Sequence, residues 1–177
     1  MKLRSWQKKI IDKFPSILIR YKRFILKAPT GAGKTILARE IIDRFYDGKK
    51  VIVLCHRLVL LDQLQSSLLD GRRVRTLKVS DKGKAFLDYD ILLSTSMRAK
   101  EVLEDAIPKA DLIIVDEAHR VSPNGQGYRK ILEKFKQEGK PGAHLMGLTA
   151  SPERRTSDQR DQLNLAFDAI IDCADIT

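Results

Sequence analysis

Phe24-Ile25-Leu26-Lys27-Ala28-Pro29-Thr30-Gly31-Ala32-Gly33-Lys34-Thr35 decides how the rest of the chain is read. Its first five residues are an apolar run of strand length, and Leu37, Ile41, Ile42 and Phe45 then recur at helical spacing over Lys34 to Phe45. Between strand and helix, Gly31 and Gly33 permit a tight loop. A phosphate chain needs backbone N–H groups converging from such a turn, a helix N-terminus aimed at it, a lysine on its terminal phosphates and a hydroxyl on Mg²⁺. The octapeptide supplies each part, with Lys34 as the charge and Thr35 as the metal ligand. Ala28 stands where the usual pattern has glycine. The competing reading is a plain strand–helix turn with an incidental lysine.

The same alternation runs outward from this stretch. Val51 to Cys55, Ile91 to Ser94, Leu112 to Val115 and Leu145 to Leu148 are short and almost wholly apolar, as strands buried on both faces of a parallel sheet must be. Val74 to Val79 and Ala169 to Ile171 are weaker strands. Helical patterns fall at Leu58 to Leu69, Met97 to Ala106 and Tyr128 to Glu138. Strands alternating with helices predict an α/β fold, a mostly parallel open sheet with helices on both faces. Ligands in such folds sit beyond the carboxyl ends of the strands. At one of those ends stands Asp116-Glu117-Ala118-His119. There Asp116 suits a metal ion on the side opposite Thr35, and Glu117 suits a general base for an attacking water.

The 177 residues fit one ordinary domain, residues 1–177. Lys and Arg number 33 against 23 Asp and Glu, a net charge of +10. Residues 1–60 alone hold 15 basic and 4 acidic side chains, a balance that suits a polyanion. Cys55 and Cys173 are the two cysteines, with no Cys/His cluster, so neither a disulfide framework nor a zinc site is expected. No apolar run approaches the ~20 residues of a membrane helix, and the expected location is cytoplasmic.

Taken together, the phosphate loop, Asp116-Glu117-Ala118-His119 and Thr149-Ala150-Ser151-Pro152 resemble motifs I, II (a DEAH box) and III of the superfamily 2 helicases and translocases, in their first RecA-like P-loop domain. In that superfamily alanine is usual where Ala28 stands. The resemblance implies ATP and Mg²⁺ as ligands, with Pro29, Thr30, Gly31, Ala32, Gly33, Lys34 and Thr35 around the phosphates and Lys34, Asp116, Glu117 and His119 as the catalytic group. It also implies that Thr149 and Ser151 couple the nucleotide to the nucleic-acid side.

Fainter likenesses surround these motifs. Leu3-Arg4-Ser5-Trp6-Gln7 is similar to the upstream Q-type motif, which implies Gln7 at the adenine edge and Arg4 near the base; the alternative puts Gln7 at an exposed helix start. His56-Arg57-Leu58 resembles motif Ia, which holds a sugar-phosphate backbone; the alternative leaves Arg57 a solvated charge. Ser94-Thr95-Ser96-Met97 resembles a backbone-binding Thr-x-Gln motif, with Thr95 in place and methionine where glutamine is expected. Glu153-Arg154-Arg155 extends motif III in the manner of DNA-repair and restriction-type members, which favours DNA over RNA. Motifs IV to VI find no room after Pro152, so a second RecA-like domain, the source of the transition-state arginines, is expected outside this chain. An RNA helicase domain, another P-loop enzyme such as a nucleotide kinase, and a non-catalytic binding module are the remaining alternatives.

Overall fold

The computed structural model describes residues 2–68, 71–82, 89–103, 107–121, 128–150 and 166–176. Seven strands form one sheet: β1 (Arg23–Lys27), β2 (Val51–Cys55), β3 (Val74–Thr76), β4 (Ile91–Thr95), β5 (Leu112–Asp116), β6 (His144–Thr149) and β7 (Ala169–Asp172). Their spatial order is β3-β4-β2-β5-β6-β1-β7, and every described pairing is parallel, one step beyond the mostly parallel sheet expected.

Period-two alternation divides the core between the two faces of the sheet. Phe24, Leu26, Val51, Val53, Leu112, Ile114, Met146 and Leu148 join one cluster with the apolar sides of α1 (Ser5–Arg20), α2 (Lys34–Phe45) and α3 (Leu58–Leu68). Ile25, Ile52, Leu54, Leu92, Ile113, Val115 and Leu145 join the other, against α4 (Ser96–Val102) and α5 (Tyr128–Glu138). Being covered on both sides is why these strands read as unbroken apolar runs.

The sequence reading lacks α1 as a 16-residue element, and the structure carries it through Pro15. An interior proline removes one helical hydrogen bond and costs about 3 kcal/mol. Ile10, Ile11, Phe14 and Ile17 are buried along one side of the same helix, and full burial of each such side chain gains about 1.5–3 kcal/mol. Packing therefore outweighs the break. Trp6 lies partly buried against this cluster. The helix expected over Met97 to Ala106 is described as Ser96–Val102, and Ala106 lies outside the described residues. Both cysteines are buried and free, with burial chiefly raising the thiols, Cys55 to about 11 and Cys173 to about 12.

Candidate nucleotide and nucleic-acid site

The strand order sets out the candidate residues along one edge of the sheet. Reading across the carboxyl ends, Thr95 closes β4, His56 follows β2, Asp116 closes β5, Thr149 closes β6 and the phosphate loop follows β1. Residues far apart in sequence therefore become a row, with β5 between the loop that resembles motif Ia and the strand that leads to motif III.

The loop after β1 is tied to β6 by Ala28 N–H donating to the Thr149 carbonyl at 2.9 Å. Ala32 N–H then closes a turn on the Pro29 carbonyl at 3.2 Å. Gly31 and Gly33 have φ of 71° and 92°, the left-handed region in which a side chain is strained. Nothing lies within 4 Å of where a Gly31 side chain would begin, so the loop is open to its surroundings at that point. Gly33 begins α2 without a side-chain cap, which leaves the first-turn N–H groups free to face an anion. Lys34 lies across the loop, its Nζ 3.4 Å from the Pro29 carbonyl, and Pro29, Thr30 and Thr35 are exposed.

Gln7 is 1% exposed and grips this loop instead of lying open at a helix start. Its Nε2 donates to the Gly33 carbonyl at 3.0 Å, while its Oε1 accepts from Arg4 N–H at 2.8 Å. The Arg4 guanidinium reaches the Gly31 carbonyl at 3.3 Å. A side chain at Gly33 would begin 2.9 Å from Gln7 Nε2 and would displace that amide, while the φ of 92° is what favours glycine there.

At the end of β5, Asp116 accepts the Glu117 N–H at 3.0 Å. Burial raises its carboxyl, aided by the Glu117 charge and opposed by that N–H and by Lys34 and His56. Glu117 is the one described non-glycine residue with positive φ, 51°. Burial pushes its carboxyl up, yet the Arg120 hydrogen bond and the charges of His119, His56 and Arg120 hold it below the ordinary value. Its Oε2 accepts from Arg120 Nε at 2.9 Å, with His56 Nδ1 at 3.6 Å and His119 Nε2 at 3.7 Å. His119 Nδ1 meets Thr149 Oγ1 at 3.0 Å, joining the turn after β5 to the end of β6.

Three neighbours of this cluster were missed from sequence. Arg120 follows the four-residue box directly and pairs with its glutamate. Tyr128 donates from its hydroxyl to the Asp116 carbonyl at 3.3 Å. Gly147, inside β6, allows the turn at Ala118 to press on the sheet: a side chain there would begin 2.7 Å from Ala118 Cβ and 3.0 Å from Ile25. A glycine within an apolar strand was the available signal, since it marks close approach.

Toward β2 and β4, Arg57 is exposed and Cys55 Sγ donates to its carbonyl at 3.2 Å. The His56 side chain is 14% exposed and turned inward toward Glu117. Thr95 is 9% exposed, and its hydroxyl accepts Arg98 N–H at 3.1 Å, capping α4. Ser151, Pro152 and the Glu153-Arg154-Arg155 extension lie outside the described residues.

The donor set suits a magnesium nucleotide. Among the described residues no group of three or more His, Cys, Asp or Glu could enclose a metal ion. Mg²⁺ is characteristically held by one or two protein oxygens together with phosphate oxygens and water. The Thr35 hydroxyl, in the first turn of α2, and the Asp116 carboxylate, at the end of β5, are oxygen donors of that kind.

Comparison with known proteins bears on the same architecture. A putative helicase of a Sulfolobus islandicus filamentous virus is 25% identical over 178 residues, taking in 92% of this chain and 30% of the viral protein. The Pyrococcus furiosus Hef helicase domain superposes with a TM-score of 0.77 at 26% identity, over 96% of this chain and 38% of that one. The Sulfolobus solfataricus SWI2/SNF2 ATPase core, solved with double-stranded DNA, gives 0.71 at 19% identity, over 95% and 36%. This chain thus spans well under half of each, and the two solved structures share its RecA-like α/β fold. Residues 1–154 match the family described as the type III restriction enzyme res subunit, and the chain belongs to that family.

Proposed function

We propose that the chain is the first motor domain of an ATP-dependent helicase or translocase that acts on nucleic acid, DNA in preference to RNA. The observation that carries this reading is the convergence, along one edge of a parallel sheet, of an open phosphate loop with the Asp116–Glu117–His119–Thr149 cluster. In this reading residues Pro29 to Thr35 hold the phosphates, through backbone N–H groups and the Lys34 ammonium. Thr35 and Asp116 hold Mg²⁺, which when bound supplies charge neutralisation to the phosphates. Arg4 and Gln7 brace the loop from the nucleoside side.

Glu117 accepts a proton from a water molecule as the water oxygen bonds to the terminal phosphorus and the phosphoanhydride bond to ADP breaks. Its carboxyl, held below the ordinary range, is ionised at neutral pH as that role requires. His119 and Thr149, with Ser151 two residues further along the chain, relate that event to the nucleic-acid side. Arg57, the N–H groups at the start of α3 and Thr95 contact the phosphates of one strand, with His56 behind them. The DNA preference is supported by the duplex held by the SWI2/SNF2 structure, and the basic excess of residues 1–60 suits either nucleic acid. A second RecA-like domain supplies further arginines to the transition state, an effect worth about 10³–10⁵ in rate. Residues 1–177 form one RecA-like domain in this reading, in a soluble cytoplasmic protein. No described helix is long and apolar enough to cross a membrane.

The decisive measurement is ATP turnover by the chain, and by a longer protein carrying it, with and without single- and double-stranded DNA or RNA. Slow turnover by the chain, stimulated most by DNA in the longer protein, is expected. Nucleotide binding that is unchanged in Lys34→Ala would falsify the phosphate-loop reading. Stimulation by RNA alone would transfer the proposal to an RNA motor.

A further inference from the structure

We infer that His56 is a positioning residue for Glu117, carrying the state of the polynucleotide-facing loop at Arg57 to the carboxylate that receives the proton from water. The inference rests on the functional reading above and adds a connection within it.

Three groups crowd Glu117 Oε2, and they are not equivalent. Arg120 bonds it at 2.9 Å. His119 stands 3.7 Å away with its other ring nitrogen on Thr149. His56 stands 3.6 Å away, and among the described residues neither of its buried ring nitrogens has a hydrogen-bond partner. A buried N–H without an acceptor is unfavourable, and at 3.6 Å the bond to the carboxylate is unmade. Closing it to a normal length asks for a shift of about 0.7 Å.

The sheet determines which part can move. β2 and β5 are register partners, Leu54 with Val115, so the strands below His56 and Glu117 are fixed relative to each other. The shift therefore belongs to the turns beyond the strands, and the loop after β2 is the one whose next residue is the exposed Arg57. A phosphate drawn onto Arg57 pulls on the backbone that carries His56. With its proton on Nδ1, the imidazole then donates to Glu117 Oε2 and competes with Arg120 for it. The positive φ of Glu117 places its side chain where β2, the turn after β5 and, through His119, β6 all reach it.

The test needs no nucleotide. The chain has three histidines, so long-range ¹H–¹⁵N spectra resolve their ring nitrogens. A duplex deoxyoligonucleotide is titrated into the wild type, Arg57→Ala, Glu117→Ala and Glu117→Gln, with binding followed separately by anisotropy. The expected result is a change in the His56 Nδ1 and Nε2 signals on DNA binding. That change is lost in Glu117→Ala, restored in Glu117→Gln, which keeps an acceptor oxygen, and reduced in Arg57→Ala. His144, at the opposite end of the sheet, should keep its signals throughout and reports that each variant is folded. Arg57-dependent DNA binding with unmoved His56 signals, or with the same movement in Glu117→Ala, overturns the relay and leaves the motor reading standing. No binding of DNA or RNA removes the polynucleotide reading and the relay together.

Discussion

His56 and His144 lie at opposite ends of the same sheet, and their surroundings differ in kind. His144 opens β6 with both ring nitrogens engaged, Nε2 donating to the Leu18 carbonyl at 3.1 Å and Nδ1 accepting from the Tyr46 hydroxyl at 3.0 Å. Burial, more than the nearby Lys22 and Lys49, lowers its basicity, so it is neutral there and one tautomer satisfies both partners. His56 follows β2 with two buried nitrogens and no hydrogen bond among the described residues. β5 repeats the contrast. Asp111 at its start accepts from Lys50 N–H and Lys140, whereas Asp116 at its end is pushed up by burial. At the amino end His144 and Asp111 have their hydrogen-bond partners; at the carboxyl end His56 lacks them and Glu117 takes a left-handed backbone. Unsatisfied groups and backbone strain persist where function selects them, so substitutions at the two ends should separate activity from stability.

The largest effect belongs to the carboxyl end. Glu117→Gln should lower ATP turnover by about 10²–10⁴ while nucleotide affinity is kept, as loss of a general base predicts. Lys34→Ala should lower turnover by about 10²–10³ and weaken nucleotide binding as well. For both, the thermal unfolding midpoint should stay within the shift produced by about 0.5 kcal/mol. Steady-state kinetics, fluorescent-nucleotide titration and calorimetry check the three quantities. A large loss of stability in either variant would break the contrast between the ends.

Gly147→Val joins the two behaviours, because the added side chain would meet Ala118 in the turn after β5 and Ile25 in β1. Overpacking at so closed a position should cost about 3 kcal/mol, lowering the midpoint by about 6–12 °C and disturbing the Asp116–Glu117 turn with it. His144→Ala should show the opposite profile. It leaves the Tyr46 hydroxyl and the Leu18 carbonyl without their partner, costs about 2 kcal/mol, and leaves nucleotide affinity unchanged. Chemical denaturation beside nucleotide titration distinguishes the two.

What could be read beforehand follows the same division. The glycine loop between β1 and α2 was legible because its residues are contiguous, and the sheet because strands covered on both faces cannot hide their apolar runs. Asp116 and Glu117 were legible because an acid directly after such a strand must emerge at its carboxyl end. The α1 helix was not read; it contains Pro15, a local breaker that tertiary burial of Ile10, Ile11, Phe14 and Ile17 overrides. The surroundings of Glu117 were hidden for another reason. Its meeting with His56 depends on β2 and β5 being neighbours, and the His119–Thr149 bond depends on β5 lying beside β6. A linear reading assigned His56 outward to nucleic acid, because adjacency to Arg57 is visible in the sequence and adjacency to Glu117 is not.

The smallest predicted effect is at Asp111, where the sign of a pH dependence tests the partnered acid before β5. Burial tends to raise this carboxyl, but the Lys140 hydrogen bond, the Lys50 N–H and the charges of Lys140 and Lys49 outweigh it and hold it below the ordinary carboxylate value. A carboxyl depressed on folding contributes stability above its unfolded pKa of about 3.9, and the contribution fades as pH falls through the lower folded value. Asp111→Asn should therefore destabilise the chain at neutral pH, and wild type and variant should converge below about pH 4. The partly exposed partner Lys140 keeps the loss under about 1 kcal/mol. A gap that instead widened in acid would mean that Asp111 is held against its charge, as Asp116 is, and that the two ends of β5 are alike after all.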